Sequence, residues 1–196
     1  MNWKHFTRWG KIREFPFKKM KDMGLIEEVP QGMLYASPMP FSPFDDEKKQ
    51  ILDQYIEAGV SKVIVLTERR EPLERTGVDL FRIYQKVGME VENFPIKDHQ
   101  APDDGTLEQF ADMVLKTKED ILKGKKIAAH CFAGMGRTGL FLSAMAIAFG
   151  KMKPDEAVKF VVENTGSKPD GTAQEVYLYS LYKVLSEKTR FQEGKS

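Results

Sequence analysis

Short apolar, often β-branched runs alternate along the chain with longer segments whose apolar residues recur at helical spacing, the pattern of an α/β domain. Met33-Leu34-Tyr35-Ala36 predicts a first strand, closed by Ser37-Pro38-Met39-Pro40. A helix is expected from Asp45 to Ala58, with an acidic first turn, Ile51, Leu52, Tyr55 and Ile56 on one face, and Gly59 as its stop. Val63-Ile64-Val65-Leu66 reads as a buried strand, Val78 to Val87 as a short helix ended by Gly88, and Met89 to Phe94 as a strand ended by Pro95. Thr106 is expected to cap a helix running to about Leu122, with Glu108 and Gln109 near the reciprocal capping position and Gly124 after its end. Lys126-Ile127-Ala128-Ala129-His130 is an apolar strand that runs into a glycine-rich turn and then an apolar helix, Thr138 to Phe149. Pro154 opens another helix with Asp155 and Glu156 in the turn where the macrodipole favours acids, and a loop from Gly166 to Gly171 precedes a last helix from Thr172 to about Lys188. The expected architecture is a single α/β domain with a central, mostly parallel sheet flanked by helices.

Composition narrows the function classes. A length of 196 residues with 41% hydrophobic content suits one domain with a real core. The net charge of +1 gives no reason to expect a nucleic-acid or stable membrane partner, and a monomer is the simplest expectation. No run of roughly 18 apolar residues is present, and the start, Met1-Asn2-Trp3-Lys4-His5, leads into a charged segment, so a soluble cytoplasmic location is expected. Cys131 is the single cysteine, which excludes an intramolecular disulfide and suits a reducing compartment. His5, His99 and His130 make no metal-ligand pattern, so neither a metal nor another cofactor is expected.

Residues 1–23 form a basic and aromatic extension that includes Trp3, Lys4, His5, Phe6, Arg8, Trp9, Lys11, Arg13, Phe15, Phe17, Lys18 and Lys19. It is expected to pack on the domain, because exposed tryptophans are costly to leave uncovered; contact with an acidic partner or with anionic lipid are the other readings. Residues 24–190 are assigned to the catalytic domain and 191–196 to a flexible tail.

The chemistry gathers in His130-Cys131-Phe132-Ala133-Gly134-Met135-Gly136-Arg137-Thr138-Gly139. A strand, a loop bearing glycines and a helix start make an anion site, because unpaired backbone N–H groups point into one concavity. Phe132, Ala133, Gly134, Met135 and Gly136 would surround a phosphate, and Arg137 would offer it a planar fork. Cys131 stands at the opposite end of the loop. Helix starts and nearby guanidinium groups bring cysteine pKa values from about 8.5 to roughly 3.5–7.5, so Cys131 is expected as a thiolate nucleophile that forms a phosphocysteine. Thr138 would donate its hydroxyl to that thiolate as it leaves. His130 is expected to be a satisfied core histidine that orients the loop.

The filled motif H-C-F-A-G-M-G-R-T-G resembles the signature of the protein tyrosine phosphatase superfamily, and the strand-loop-helix context is most similar to its compact dual-specificity-type branch from about Met33 to the final helix. The resemblance implies a phosphate loop between a strand and a helix, and an aspartate from a separate loop as general acid. Phe94-Pro95-Ile96-Lys97-Asp98-His99-Gln100-Ala101-Pro102 resembles that acid loop, which maps the role onto Asp98, with Asp103 and Asp104 as competitors. Gln174 resembles the family glutamine that positions the hydrolytic water; an ordinary first-turn residue is the other reading.

Gly134-x-Gly136-x-x-Gly139 also satisfies a dinucleotide-binding spacing, but the acids about 20 residues on, Asp155 and Glu156, lie at a helix start and not at a second strand tip. The lysine of a nucleotide-triphosphate loop is absent as well. Phe132 and Met135 are apolar where phosphoinositide-directed relatives commonly carry basic residues, so phosphoproteins are the expected substrates, with phosphotyrosine ahead of phosphoserine or phosphothreonine. A phosphoinositide or other small-molecule phosphatase, a phosphopeptide-binding module without turnover, and sulfur or arsenate chemistry on a similar loop are the alternatives. Glu68, Arg69, Arg70 and Glu71, after the Val63–Leu66 strand, read as a solvated charged turn that could instead rim the pocket.

Overall fold

The computed structural model describes residues 11–45 and 50–193. Trp3, Lys4, His5, Phe6, Arg8 and Trp9 of the extension, and residues 46–49 of the acidic turn expected to open the 45–58 helix, lie outside the described residues. Five strands, β1 (Arg13–Glu14), β2 (Met33–Ser37), β3 (Lys62–Val65), β4 (Glu90–Asn93) and β5 (Lys126–His130), form one sheet in the order β1-β2-β5-β3-β4. The β1–β2 pair is antiparallel and the other three pairs are parallel. The helices are α1 (Phe17–Asp22), α2 (Ile51–Ala58), α3 (Glu71–Thr76), α4 (Leu80–Lys86), α5 (Leu107–Leu122), α6 (Gly136–Gly150), α7 (Pro154–Thr165) and α8 (Gly171–Glu193).

Strand alternation sorts the core into two layers. Leu34, Ala36, Ile64, Leu66, Ile127 and Ala129 meet apolar residues of α1, α5, α6, α7 and α8 on one face. Tyr35, Val63, Val65 and Ala128 meet Ile51 and Tyr55 of α2 and Leu80, Phe81 and Tyr84 of α4 on the other. Coverage on both faces explains why β3 and β5 read as nearly continuous apolar runs. Helix α6 is apolar on every side because α5, α7 and α8 enclose it against the sheet. Among the described residues no helix is long and apolar enough to cross a membrane.

Several boundaries differ from the expectation, each for a local reason. Asp45 stays outside α2 and its carboxylate instead accepts from the backbone N–H groups of Phe41 and Ile51, both at 2.8 Å. Thr106 makes no side-chain cap to α5; its hydroxyl donates to Asp103 O at 2.7 Å and closes a 3₁₀ turn over Asp104–Thr106. Helix α6 starts at Gly136, two residues before the expected Thr138, and its first turns pack so closely on the α7–α8 loop that a Cβ on Gly136 would lie 2.8 Å from Asp170 Cβ and one on Gly139 2.5 Å from the Lys168 backbone. Helix α8 runs through Glu193, into the segment expected to be a tail. The short α3 was not anticipated, although Pro72 in its first turn beside Glu71 and Glu74 is a helix-start signal.

The second half of the N-terminal extension enters the core. Phe15, Phe17 and Met20 are buried, and the Phe17 ring stands 4.8 Å, edge-on, from that of Phe149 in α6. Deep burial also governs His130, at the C-terminal end of β5. Its Nδ1 lies 3.0 Å from Cys131 O, which can only accept, so Nδ1 carries the proton and Nε2 accepts from the Tyr84 hydroxyl at 2.9 Å. Burial, and after it the charge of Arg137, lowers its pKa to about 4 against the opposing pull of the Cys131 carbonyl and Glu71.

Two outcomes are expected. Phe17→Ala will lower the unfolding free energy by about 3–5 kcal/mol, the scale for emptying a buried phenylalanine site, as read by chemical denaturation. With a folded pKa below the ordinary value of His130, the unfolded chain binds the extra proton. Stability is therefore fully present above about pH 6.5 and falls as pH drops towards 4, by roughly 3 kcal/mol. Denaturation at pH 7 and pH 4.5 will show that slope in the wild type and a flatter one in His130→Gln.

Candidate active site

The loops that follow β2, β3, β4 and β5 all leave the C-terminal edge of the parallel strands, the edge where open α/β sheets place ligands. There the loops after β4 and β5, with α3 and the α7–α8 loop, line a cavity of about 510 Å³. The loop after β5 contributes Cys131, Phe132, Ala133, Met135, Gly136 and Arg137; the loop after β4 contributes Asp98 and His99; Arg75 comes from α3, and Lys168 and Asp170 from the α7–α8 loop.

The loop from Cys131 to Arg137 is shaped by what holds its carbonyls. Cys131 O accepts from His130, and Phe132 O accepts from the Met39 N–H at 2.9 Å. A trans peptide aims its C=O and the following N–H in opposite directions, so these contacts turn the N–H groups of Phe132 and Ala133 away from the packed side of the loop. Gly134 has φ +70°, and a Cβ there would lie 2.4 Å from Ser37 O, so only glycine fits the bend. Gly136 and Arg137 stand in the first turn of α6, whose N–H groups lack intrahelical partners.

Arg137 is buried, at 3% exposure, and its guanidinium is gripped as a fork. Nη1 donates to Glu71 Oε2 at 2.7 Å and to Ile96 O at 3.0 Å, while Nη2 donates to Glu71 Oε1 at 2.9 Å and lies 3.1 Å from Asp98 Oδ1. Burial works against its charge, but the Glu71 hydrogen bonds, with the charges of Cys131, Glu71 and Asp98, leave its pKa raised. Glu71 had been grouped with Glu68, Arg69 and Arg70 as a solvated turn. Its three neighbours are exposed, but Glu71 itself is buried, because α3 rotates it inward beneath Arg137.

Asp98 faces the cavity between two arginines: besides Arg137, Arg75 Nη2 donates to Asp98 Oδ2 at 2.8 Å. Arg75 also lies over the Phe132 ring, 4.3 Å from its centroid. Asp103 is exposed, and Asp104 lines a separate depression with Thr172 and Val176. The next residue, His99, has φ +59° and places its Nδ1 2.5 Å from Asp170 Oδ2. Gln174 is fully buried beside the cavity wall. Its Oε1 accepts from Asp170 N and its Nε2 donates to Gln100 O, both at 2.8 Å, so the amide ties the Asp98 loop to the start of α8. The Thr138 hydroxyl is buried and has no hydrogen-bond partner among the described residues. Sequence reading missed Arg75, Lys168 and Asp170 at this cavity, because each lies on an element that only the fold brings to the sheet edge.

Comparison with known proteins gives the same assignment. A family model described as polymorphic toxin system, DSP-PTPase phosphatase, matches residues 44–151. Protein tyrosine phosphatase domain-containing protein 1 of Danio rerio is 31% identical over 59% of this chain and 17% of its own length, and the RNA/RNP complex-1-interacting phosphatase of Rattus norvegicus is 27% identical over 81% of this chain and 55% of its own. The chain thus spans between about a sixth and about half of these relatives. Among solved structures, a kinase-associated phosphatase with its catalytic-site cysteine replaced by serine superposes with a TM-score of 0.71 at 17% identity, covering 89% of this chain and 95% of that one. The active form of Tk-PTP superposes with a TM-score of 0.61 at 26% identity, covering 78% and 91%. With this fold, and with residues 44–151 matched, the chain belongs to the DSP-PTPase phosphatase family of polymorphic toxin systems, a compact dual-specificity-type member of the protein tyrosine phosphatases.

Proposed function

We propose that the chain hydrolyses phosphate monoesters on phosphoproteins, phosphotyrosine foremost, through a phosphocysteine intermediate. The observation that carries this reading is the convergence of Cys131, Arg137 and Asp98 on one cavity, with the loop N–H groups between them. Phosphate sits over the loop, held by those N–H groups and by Arg137, in line with the Cys131 sulfur. Cys131 attacks phosphorus as the ester oxygen departs, and Asp98 gives that oxygen its proton. Water then cleaves the phosphocysteine, and Thr138, whose buried hydroxyl is without a partner, donates to the departing thiolate. Gln174 reaches the reaction through the acid loop it holds, by way of Gln100.

Two features favour an aryl phosphate on a protein. Phe132, Ala133 and Met135 give the cavity an apolar lining. The basic groups at the rim already have acidic neighbours, Arg75 with Asp98, His99 with Asp170, and Lys168 with Glu175 at 3.9 Å, so the rim does not present an uncompensated positive ring for a polyphosphorylated sugar. A phosphoprotein is therefore the substrate class proposed, acted on by a cytoplasmic monomer without metal or cofactor.

Release of phosphate from an aryl phosphate will be abolished in Cys131→Ser while binding persists; unchanged turnover ends the proposal. Asp98→Asn will lower kcat by about 10²–10⁴-fold for esters with poor leaving groups and far less for activated ones, and it will remove the basic limb of a bell-shaped pH profile of kcat/KM. Glu71→Gln, which removes the two-pronged carboxylate under Arg137 and leaves Asp98 as its acid, will lower kcat/KM by about tenfold or more, mostly through KM. Rates on a phosphotyrosine peptide panel will exceed those on phosphoinositide vesicles; the reverse order reassigns the substrate class.

A further inference from the structure

The third outward-held carbonyl of the phosphate loop is gripped by a residue from the far N-terminal side of the fold. Gly134 O accepts from Arg13 Nη2 at 2.8 Å and from Ser167 Oγ at 2.9 Å. Arg13 lies on β1, where it pairs with Ala36 at the edge of the sheet. Its Nη1 donates at the same time to Thr165 O at 2.9 Å, an end-of-helix carbonyl of α7. One planar fork therefore bridges the end of α7 and the middle of the phosphate loop.

The peptide that Arg13 grips is the one in the loop with the least intrinsic reason to hold its orientation. Gly134 lacks a Cβ, and its positive φ is one of several that glycine adopts at little cost. Rotation of the Gly134–Met135 peptide would turn the Gly134 carbonyl towards a bound anion and the Met135 N–H away from it. The donors on the outer side prevent this: with Gly134 O directed to Arg13 and Ser167, the Met135 N–H must point the opposite way. Met135 itself lines the cavity.

We propose that Arg13 is a positioning residue for oxyanion binding, which fixes the Gly134–Met135 peptide with the Met135 N–H directed at the phosphate. The inference rests on the reading of this loop as a phosphate site. It gives β1 a role beyond packing, since the strand carries the guanidinium that sets one donor of the cradle. Lysine cannot replace it, because a single ammonium does not span the two carbonyls.

Tungstate, an inert oxyanion, tests this without turnover. Titration calorimetry on the full chain will compare the wild type with Arg13→Lys, Arg13→Ala and the exposed strand neighbour Glu14→Ala, alongside thermal midpoints and kcat and KM on an aryl phosphate. The expected result is tungstate affinity about tenfold weaker in folded Arg13→Lys, the scale of one hydrogen bond to an anion, with a matching rise in KM and no change in Glu14→Ala. Ser167→Ala will cost more in the Arg13→Lys background than alone, because the two donors hold one carbonyl. Wild-type tungstate affinity in a folded Arg13 variant, even one with a lowered thermal midpoint, overturns the proposal, as does failure of both Arg13 variants to fold, which would make the residue a stability element. A wild type that binds tungstate but whose turnover ignores Cys131→Ser sinks the phosphatase reading alone; a wild type that binds no tungstate sinks both.

Discussion

A guanidinium with 3% of its surface exposed must be paired, and the groups that pair Arg137 arrange most of the site. Removing such an ion from water costs several kcal/mol, recovered only when geometry is good and the remaining donors are met. Here Glu71 supplies a two-pronged carboxylate, Ile96 a carbonyl and Asp98 a second acid. Those three come from α3 and from the segment after β4, so the charge of one residue in α6 fixes where two other loops can sit. The same pairing holds the guanidinium plane still.

The floor of the cavity follows a different rule, in which backbone direction is set from outside. His130 is kept neutral by burial, holds the Cys131 carbonyl and is itself held by Tyr84 from α4. Met39, just beyond β2, holds the Phe132 carbonyl. Each contact ties one peptide of the loop to a different element of the fold, and none uses a group that must touch substrate. Rigid secondary structure thus positions a loop that has no regular hydrogen bonding of its own, which is the arrangement needed for donors that must already be oriented when charge develops.

Much of this was legible in the chain because the signals were dense or local. The strands β3 and β5 announce themselves as apolar runs since both sheet faces are covered, and cysteine, glycines, arginine and threonine fall within the ten residues from His130 to Gly139. Asp98 came from the resemblance of the segment Phe94 to Pro102 to the family's acid loop, and the fold brings it to the cavity. What escaped is long-range. Glu71 is 66 residues from Arg137, Arg13 is 121 residues from Gly134, and Ser167 is 33 residues away from the same carbonyl. A glutamate in a charged turn and an arginine in a basic extension look like solvated side chains until the fold shows what they face. Thr106 failed in the opposite sense: its cap signal was sound, but a 3₁₀ turn competed for the hydroxyl.

The acid loop shows how magnitudes decide between two visible tethers. The His99–Asp170 contact is short, but the two side chains are 80% and 43% exposed, and a pair so open to water contributes about 0–1 kcal/mol. Gln174 is fully buried and its two amide bonds go to backbone groups on either side, Asp170 N and Gln100 O. Those two part-buried bonds contribute about 0.5–1.5 kcal/mol each, together more than the exposed pair. The Asp98 loop is thus held by Arg137 at Ile96 and Asp98 and by Gln174 at Gln100, more than by the exposed His99–Asp170 pair, and the residue that the family resemblance placed near the hydrolytic water lies here between Asp170 N and Gln100 O.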